Sequence, residues 1–102
     1  MTPVIKHNLA SIGDLCRRYH VARLEAFGSG ARGDFNPRSS DLDFLVEFEP
    51  LSPAEHAKAY FSLLAELQDL FGRDIDLVEA RAIRNPYFQQ AVDRERVELY
   101  AA

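Results

Sequence analysis

The sequence predicts one α/β (α+β) domain in which helices pack on a small mixed β-sheet. The chain has 102 residues, enough for a single hydrophobic core and too few for a second domain. Segments with helical periodicity alternate along it with segments of strand periodicity. Hydrophobic residues make up 47% and charged residues 27%, as in ordinary globular proteins. We therefore treat residues 1–102 as a single domain.

The chain is expected to begin with an amphipathic helix. Thr2 suits the N-cap, and Pro3 suits the first helical position because no helical hydrogen bond is needed from its nitrogen. Apolar residues then follow at helical spacing and give the helix one face for the core: Ile5, Leu9, Ile12, Cys16 and Tyr19.

A long helix is expected in the middle of the chain. Ser52 and Glu55 form a capping box at its start, and Gly72 provides the usual stop. Its core-facing side is expected to contain the apolar residues at helical spacing, which are Ala57, Tyr60, Phe61, Leu64, Leu67 and Phe71.

Another helix is expected near the end of the chain, where Asn85 and Pro86 form a typical start. Tyr87 and Phe88 follow directly, and we expect these aromatic side chains in the core rather than at an interface. The last segment, VELY at 97–100, fits a short strand and a frayed helix or coil almost equally, because terminal segments are often poorly ordered.

Three earlier segments have the composition and alternation of β-strands. In DLDFLVEF the apolar face alternates with a second face that begins with Asp41 and Asp43. In DIDLVE an acid, Asp76, again lies near the start. The predicted strands span residues 21–27, 41–48 and 74–79.

Charge and cysteine content exclude several classes of function. The formal net charge of −4 argues against a sequence-independent grip on a nucleic-acid backbone, which needs a basic face. The single cysteine, Cys16, cannot form an internal disulfide and is expected to be a buried structural thiol. The sequence has neither an apolar run long enough for a membrane span nor the pattern of a signal peptide, so we expect a cytoplasmic location and no membrane partner.

Acidic residues at alternate strand positions predict a cation site. Asp41 and Asp43 point to the same face, where like charges a few ångströms apart repel by about 4 kcal/mol at an effective dielectric of 20. Because the ligands are oxygens, Mg²⁺ or Mn²⁺ is the expected cation. Asp76 can join them if its strand pairs with theirs, whereas Asp74 is expected to be a solvated turn residue.

The glycine-rich segment GSGARG, residues 28–33, predicts a phosphate contact. Glycines let a backbone approach a ligand closely, and consecutive N–H groups attract phosphate. Ser29 can add its hydroxyl, while Arg32 and Arg38 add positive charge. The segment lacks the Gly-Lys-Ser/Thr ending of a P-loop and the glycine spacing of a dinucleotide fingerprint.

Taken together, these motifs resemble those of nucleotidyltransferases related to DNA polymerase β. The resemblance rests on Gly28-Ser29, ARG at 31–33, SDLDFLV at 40–46 and IDLV at 75–78, and it extends over nearly the whole chain. More narrowly, the sequence resembles the minimal nucleotidyltransferases (MNT) that act as antitoxins in HEPN/MNT toxin–antitoxin modules. The resemblance implies a nucleotidyltransferase-like core that binds ATP.

The resemblance also implies roles for single residues. Gly28 and Ser29 would hold the triphosphate, and Arg32 matches the arginine of the family's ARG segment. Three acids would form the metal site, with Asp76 either completing it or acting as the base: Asp41, Asp43 and Asp76.

The activity implied is Mg²⁺-dependent AMP transfer from ATP to a hydroxyl, a tyrosine of a partner HEPN toxin. The partner would make the assembly a hetero-oligomer, and the modification would silence the toxin. Two alternatives stay open. The chain could neutralise its partner by binding alone, or it could adenylylate a small molecule, for which so short a chain would have to oligomerise.

Overall fold

A four-stranded mixed sheet forms the centre of the structure, a computed structural model that describes residues 1–38 and 41–102. The strand order is β3-β2-β1-β4, in which β2 and β3 run parallel and the other neighbours run antiparallel. This arrangement confirms the predicted mixed sheet with packed helices. The strands are β1 (Val21–Phe27), β2 (Leu42–Phe48), β3 (Ile75–Glu79) and β4 (Val97–Ala101).

Helices connect the strands and cover both faces of the sheet. A 3₁₀ helix, Ala80–Ala82, follows β3. The longest helix, α4, provides the crossover between the parallel strands β2 and β3, which a hairpin cannot supply. The α-helices are α1 (Pro3–Lys6), α2 (Leu9–Arg18), α3 (Ser29–Arg32), α4 (Pro53–Phe71) and α5 (Pro86–Glu95).

The predicted first helix is in fact two helices, and the prediction of one continuous helix was wrong. The break lies at His7 and Asn8, where the Asn8 side-chain amide donates to the Val4 carbonyl at 2.8 Å. An asparagine side chain that bonds locally in this way competes with the helical backbone. Thr2 is the N-cap as expected, and its N–H donates to the Gly30 carbonyl at 2.8 Å, which ties the start of the chain to the glycine-rich segment.

The predicted ends of α4 are confirmed. The Ser52 hydroxyl accepts a hydrogen bond from the Glu55 N–H at 3.2 Å, and Gly72 ends the helix in the left-handed conformation, with φ of 61°. The predicted core face of α4 was only partly right, because Ala57 and Phe61 are exposed. Leu67 and Phe71 of the predicted face are buried, and the other two buried positions of α4, Ala59 and Leu63, precede them at spacings of four residues on the same side of the helix.

The two faces of the sheet have cores of unequal size. The larger core lies under α2 and α4 and includes Phe44 of β2 and Cys16, the buried thiol that the sequence predicts. Burial raises the pKa of this thiol to about 12, which makes it unreactive at neutral pH. On the opposite face, a smaller cluster joins the sheet to α5 and consists of Phe27, Leu45 and Val92.

Helix α5 begins as predicted, but its aromatic residues are not buried as expected. The Asn85 side chain accepts hydrogen bonds from the N–H groups of Tyr87 and Phe88 at 2.9 and 3.3 Å. Tyr87 is nevertheless 80% exposed, and Phe88, 39% exposed, contacts the edge of Phe27. Val92 is the only residue of α5 that is buried. The terminal segment is a strand, β4, paired with β1.

Among the helices in the described part of the chain, none has the length and apolar character needed to cross a bilayer.

Candidate active site

The glycine turn and the acidic strand are in direct contact. Strand β1 ends at Phe27, and Gly28 follows with φ of 68° and ψ of −154°, a conformation that side chains disfavour. The carboxylate of Asp43 lies in the space that a Cβ atom on Gly28 would need. Glycine is therefore required here both for its backbone conformation and for the space that Asp43 occupies. The glycine turn expected to bind phosphate and the acid expected to bind a cation lie next to each other.

Strand pairing brings the predicted acids to one end of the sheet. The antiparallel register of β1 and β2 sets Phe27 opposite Asp43, and the parallel register of β2 and β3 sets Asp43 opposite Asp76. The strand pairing that Asp76 needs in order to join the other acids is thus present. Asp41 directly precedes β2, and Asp74 directly precedes β3, and both are exposed.

The charges around Asp43 disfavour its ionised form. Burial and the negative charges of Asp76, Asp41 and Glu95 raise the pKa of Asp43 from 3.8 to about 6, while Arg32 acts in the opposite direction. Burial is the largest of these causes. A cation bound beside such a carboxyl group favours its ionised form, because the cation offsets the repulsion and pairs with the partly buried charge.

The three carboxylates at this end of the sheet are suitable ligands for a hard divalent cation. The oxygens of three carboxylates are the ligands that Mg²⁺ and Mn²⁺ prefer. Within residues 1–38 and 41–102, no three His, Cys, Asp or Glu side chains converge into a ready-made metal cage. The acids therefore share an end of the sheet and an electrostatic field without forming a closed ligand shell.

A further acid, Glu95 at the end of α5, lies on the glycine turn. One of its carboxylate oxygens accepts the Gly28 N–H at 2.9 Å, and the other accepts from the Arg32 guanidinium at 2.6 Å. Arg32 also pairs with Asp34, at 3.3 Å. Sequence reasoning missed Glu95 because it lies 67 residues after Gly28, within a charged run typical of an exposed helix.

A second ion pair fixes the end of α5 against the sheet. The Arg96 guanidinium donates to the carboxylate of Glu25, which is 5% exposed, at 2.9 Å. Arg96 also bonds Asp93 within the helix at 2.7 Å, and these carboxylates raise the pKa of its guanidinium, the Glu25 hydrogen bond most of all. The contact of Glu95 with the turn is therefore set by a docked helix.

The remaining predicted residues lie around this site. Ser29 is half-buried and begins α3, and Arg38 is exposed. The first residue of the motif at 40–46, Ser40, lies outside the described residues.

Comparisons with known proteins agree with the fold and the motifs. Residues 11–99 match the model of a family described as "Nucleotidyltransferase domain". A protein of Methanocaldococcus jannaschii named "Putative protein adenylyltransferase" is 36% identical over 83 residues, which cover 81% of each chain.

Two solved structures are similar over most of the chain. One, described as a putative minimal nucleotidyltransferase, has a TM-score of 0.67 and 32% identity, and the match covers 91% of this chain and 90% of that one. The other, a toxin–antitoxin with AMP-PNP, has a TM-score of 0.70 and 26% identity, and covers 93% and 74%.

Proposed function

The chain belongs to the nucleotidyltransferase domain family, and from this premise we propose that it transfers AMP from ATP to a hydroxyl group of a partner protein. The observation that carries the proposal is the position of Asp43, which lies between the Gly28 turn and Asp76 across three neighbouring strands. The relatives named as protein adenylyltransferases support the choice of a protein acceptor.

The proposed reaction exchanges one phosphorus–oxygen bond for another. The acceptor oxygen attacks the α-phosphorus of ATP, the bond to the bridging oxygen breaks, pyrophosphate leaves, and the hydroxyl proton passes to a base. A tyrosine hydroxyl has a pKa of about 10 and is a weak nucleophile at neutral pH. A bound Mg²⁺ or Mn²⁺ would supply charge neutralisation at the phosphates and activate the attacking oxygen.

We assign the acids to the cation and to the acceptor. Asp41 and Asp43 would hold the cation, since they are neighbours on one face and the field at Asp43 already favours positive charge. Asp76 is exposed beside Asp43, where an acceptor hydroxyl can approach it from solvent. Asp76 would complete the cation site or take the hydroxyl proton.

The glycine turn would hold the triphosphate. Gly28 has no side chain, so its backbone N–H can approach a phosphate oxygen closely. The hydroxyl of Ser29 and the guanidinium of Arg32 would add a neutral and a charged donor. Arg32 is half exposed, so a phosphate can reach its guanidinium from solvent.

We assign the acceptor to a tyrosine of a HEPN-type toxin, so that the chain would act as an antitoxin. The assignment rests on the sequence resemblance to MNT antitoxins and on the similarity to the solved toxin–antitoxin structure that contains AMP-PNP. Modification rather than binding alone would silence the toxin.

The test is transfer of label from ATP labelled at the α-phosphate to the protein encoded by the adjacent gene, in the presence of Mg²⁺. Asp43→Asn keeps the side-chain shape and removes a charge, so it should abolish labelling. Asp74→Asn makes the same chemical change at an exposed position before β3 and should leave labelling intact. Undiminished labelling with Asp43→Asn rejects the proposal.

The same variant separates transfer from neutralisation by binding. If Asp43→Asn still co-purifies with the partner but no longer protects cells from it, transfer is the protective step. If protection persists without labelling, binding suffices.

A further inference from the structure

We propose that Glu95 is a placeholder for the triphosphate: it holds the Gly28 N–H and Arg32 in the nucleotide-free protein, and ATP displaces it. This inference rests on the proposed function, because it takes Gly28 and Arg32 as phosphate donors. Glu95 would then be a positioning residue that sets how strongly the site selects for highly charged nucleotides.

The geometry of the contact supports this role. Glu95 uses both carboxylate oxygens, one on the Gly28 N–H at 2.9 Å and one on Arg32 at 2.6 Å. Carboxylates and phosphates both accept charge-assisted hydrogen bonds from guanidinium and backbone N–H groups. A phosphate group that used this N–H and this guanidinium would have to occupy the position of the Glu95 carboxylate.

The charge of the region argues that Glu95 leaves when nucleotide binds. Asp41, Asp43 and Asp76 already place three acidic side chains in this region, and the negative charge of Glu95 is close enough to help raise the pKa of Asp43. A triphosphate beside a retained Glu95 would put one more anion among these groups. Displacement transfers Arg32 from the carboxylate to the phosphate and leaves its charge paired.

The docking of α5 shows how displacement can happen without unfolding. The Arg96–Glu25 pair holds the end of the helix on the sheet independently of Glu95. The side chain of Glu95 is 26% exposed, so it has a path to solvent. Rotation of this one side chain frees the Gly28 N–H and leaves Arg32 paired with Asp34 alone, while the helix stays in place.

The test compares wild type with Glu95→Gln for binding of ATP, ADP and AMP with Mg²⁺, measured by calorimetry. Glutamine keeps the side-chain shape but removes one of the two carboxylate charges that pair with Arg32, so ATP should bind on the order of tenfold more tightly. The gain in affinity should be largest for ATP and smallest for AMP. In the transfer reaction it should lower the KM for ATP and leave kcat unchanged. The control, Glu98→Gln, removes the charge of an exposed acid that pairs with Arg23 and should bind like wild type.

A scaffold role predicts the opposite result. If Glu95 only holds the turn in shape, Glu95→Gln weakens ATP binding, and that outcome overturns the placeholder. A second measurement does not depend on the variant folding well. In a crystal structure of wild type with AMP-PNP and Mg²⁺, a phosphate oxygen should replace Glu95 at the Gly28 N–H, and a retained Glu95–Gly28 bond rejects the inference.

These outcomes differ from a failure of the proposed function. If wild type neither binds ATP nor transfers AMP, both the proposed function and the placeholder role of Glu95 are rejected. If wild type does both while Glu95→Gln binds ATP no more tightly, only the placeholder is wrong.

Discussion

The carboxylate of Asp43 occupies the space that a side chain at Gly28 would need. The two residues are 15 positions apart in sequence, and they meet because Phe27, the last residue of β1 before Gly28, pairs with Asp43 of β2. Because of this contact, a substitution at either residue should change the packing and the conformation of the other.

Gly28→Ala should therefore destabilise the protein by more than strain alone. Alanine at φ of 68° is strained, and its methyl group would collide with Asp43. We expect a loss of about 3 kcal/mol in the free energy of unfolding, against about 1 kcal/mol for Gly33→Ala, where φ is 95° and a Cβ meets open space. Urea unfolding measures both. The variant Gly28→Ala/Asp43→Ala should recover part of the loss, and strict additivity would contradict the collision.

Asp43→Asn should stabilise the protein without divalent cations at pH 8. The folded pKa of about 6 lies above the usual 3.8, so ionisation of Asp43 opposes folding. This destabilisation is absent below pH 4 and grows as the pH rises through 6. Because the group is partly solvated, we expect a gain of about 1 kcal/mol at pH 8. Urea unfolding at pH 4 and pH 8 tests this, and equal stability of variant and wild type at pH 8 would contradict it.

Mg²⁺ should raise the melting temperature more at pH 8 than at pH 5. A ligating carboxylate must be ionised, and Asp43 is largely protonated at pH 5. At a concentration one hundred times its dissociation constant, the ion should add about 2.7 kcal/mol. Scanning calorimetry with Mg²⁺ or EDTA measures the shift. Asp43→Asn should remove most of it, whereas an equal shift in that variant would place the cation elsewhere.

Arg96→Ala should be strongly destabilising because it leaves the buried Glu25 carboxylate without its main partner. We expect a loss of about 3 kcal/mol in the free energy of unfolding. Arg81→Ala is the control, since Arg81 is 78% exposed and pairs with Glu47 at 2.7 Å, and it should lose less than about 1 kcal/mol. A similar loss for both variants in urea unfolding would show that burial of Glu25 is not the cause.

The sequence predicted the elements whose signals are local. The Ser52 cap, the Gly72 stop and the Asn85 cap depend on neighbouring residues alone, and the structure has all three. The core face of α4 was harder to predict, because apolar residues on two sides of the helix compete and only the sheet selects between them. The break at Asn8 depends on one side-chain hydrogen bond that periodicity does not report.

The residues of the candidate site also differ in whether a local sequence pattern reveals them. Asp41, Asp43 and Asp76 are recognisable because each lies at the start of a strand pattern and the strands are adjacent. Glu95 has no such pattern around it. Its contact with Gly28 depends on where α5 docks, which is decided by Val92 on the sheet and by the Arg96–Glu25 pair.

The separation of Gly28 and Glu95 along the chain also orders events during synthesis. Translation produces the glycine turn and the three strand acids within the first 79 residues, and Glu95 emerges from the ribosome later. The Gly28 amide and the Arg32 guanidinium are therefore made before the carboxylate that binds them both, so this contact can form only after α5 has been synthesised.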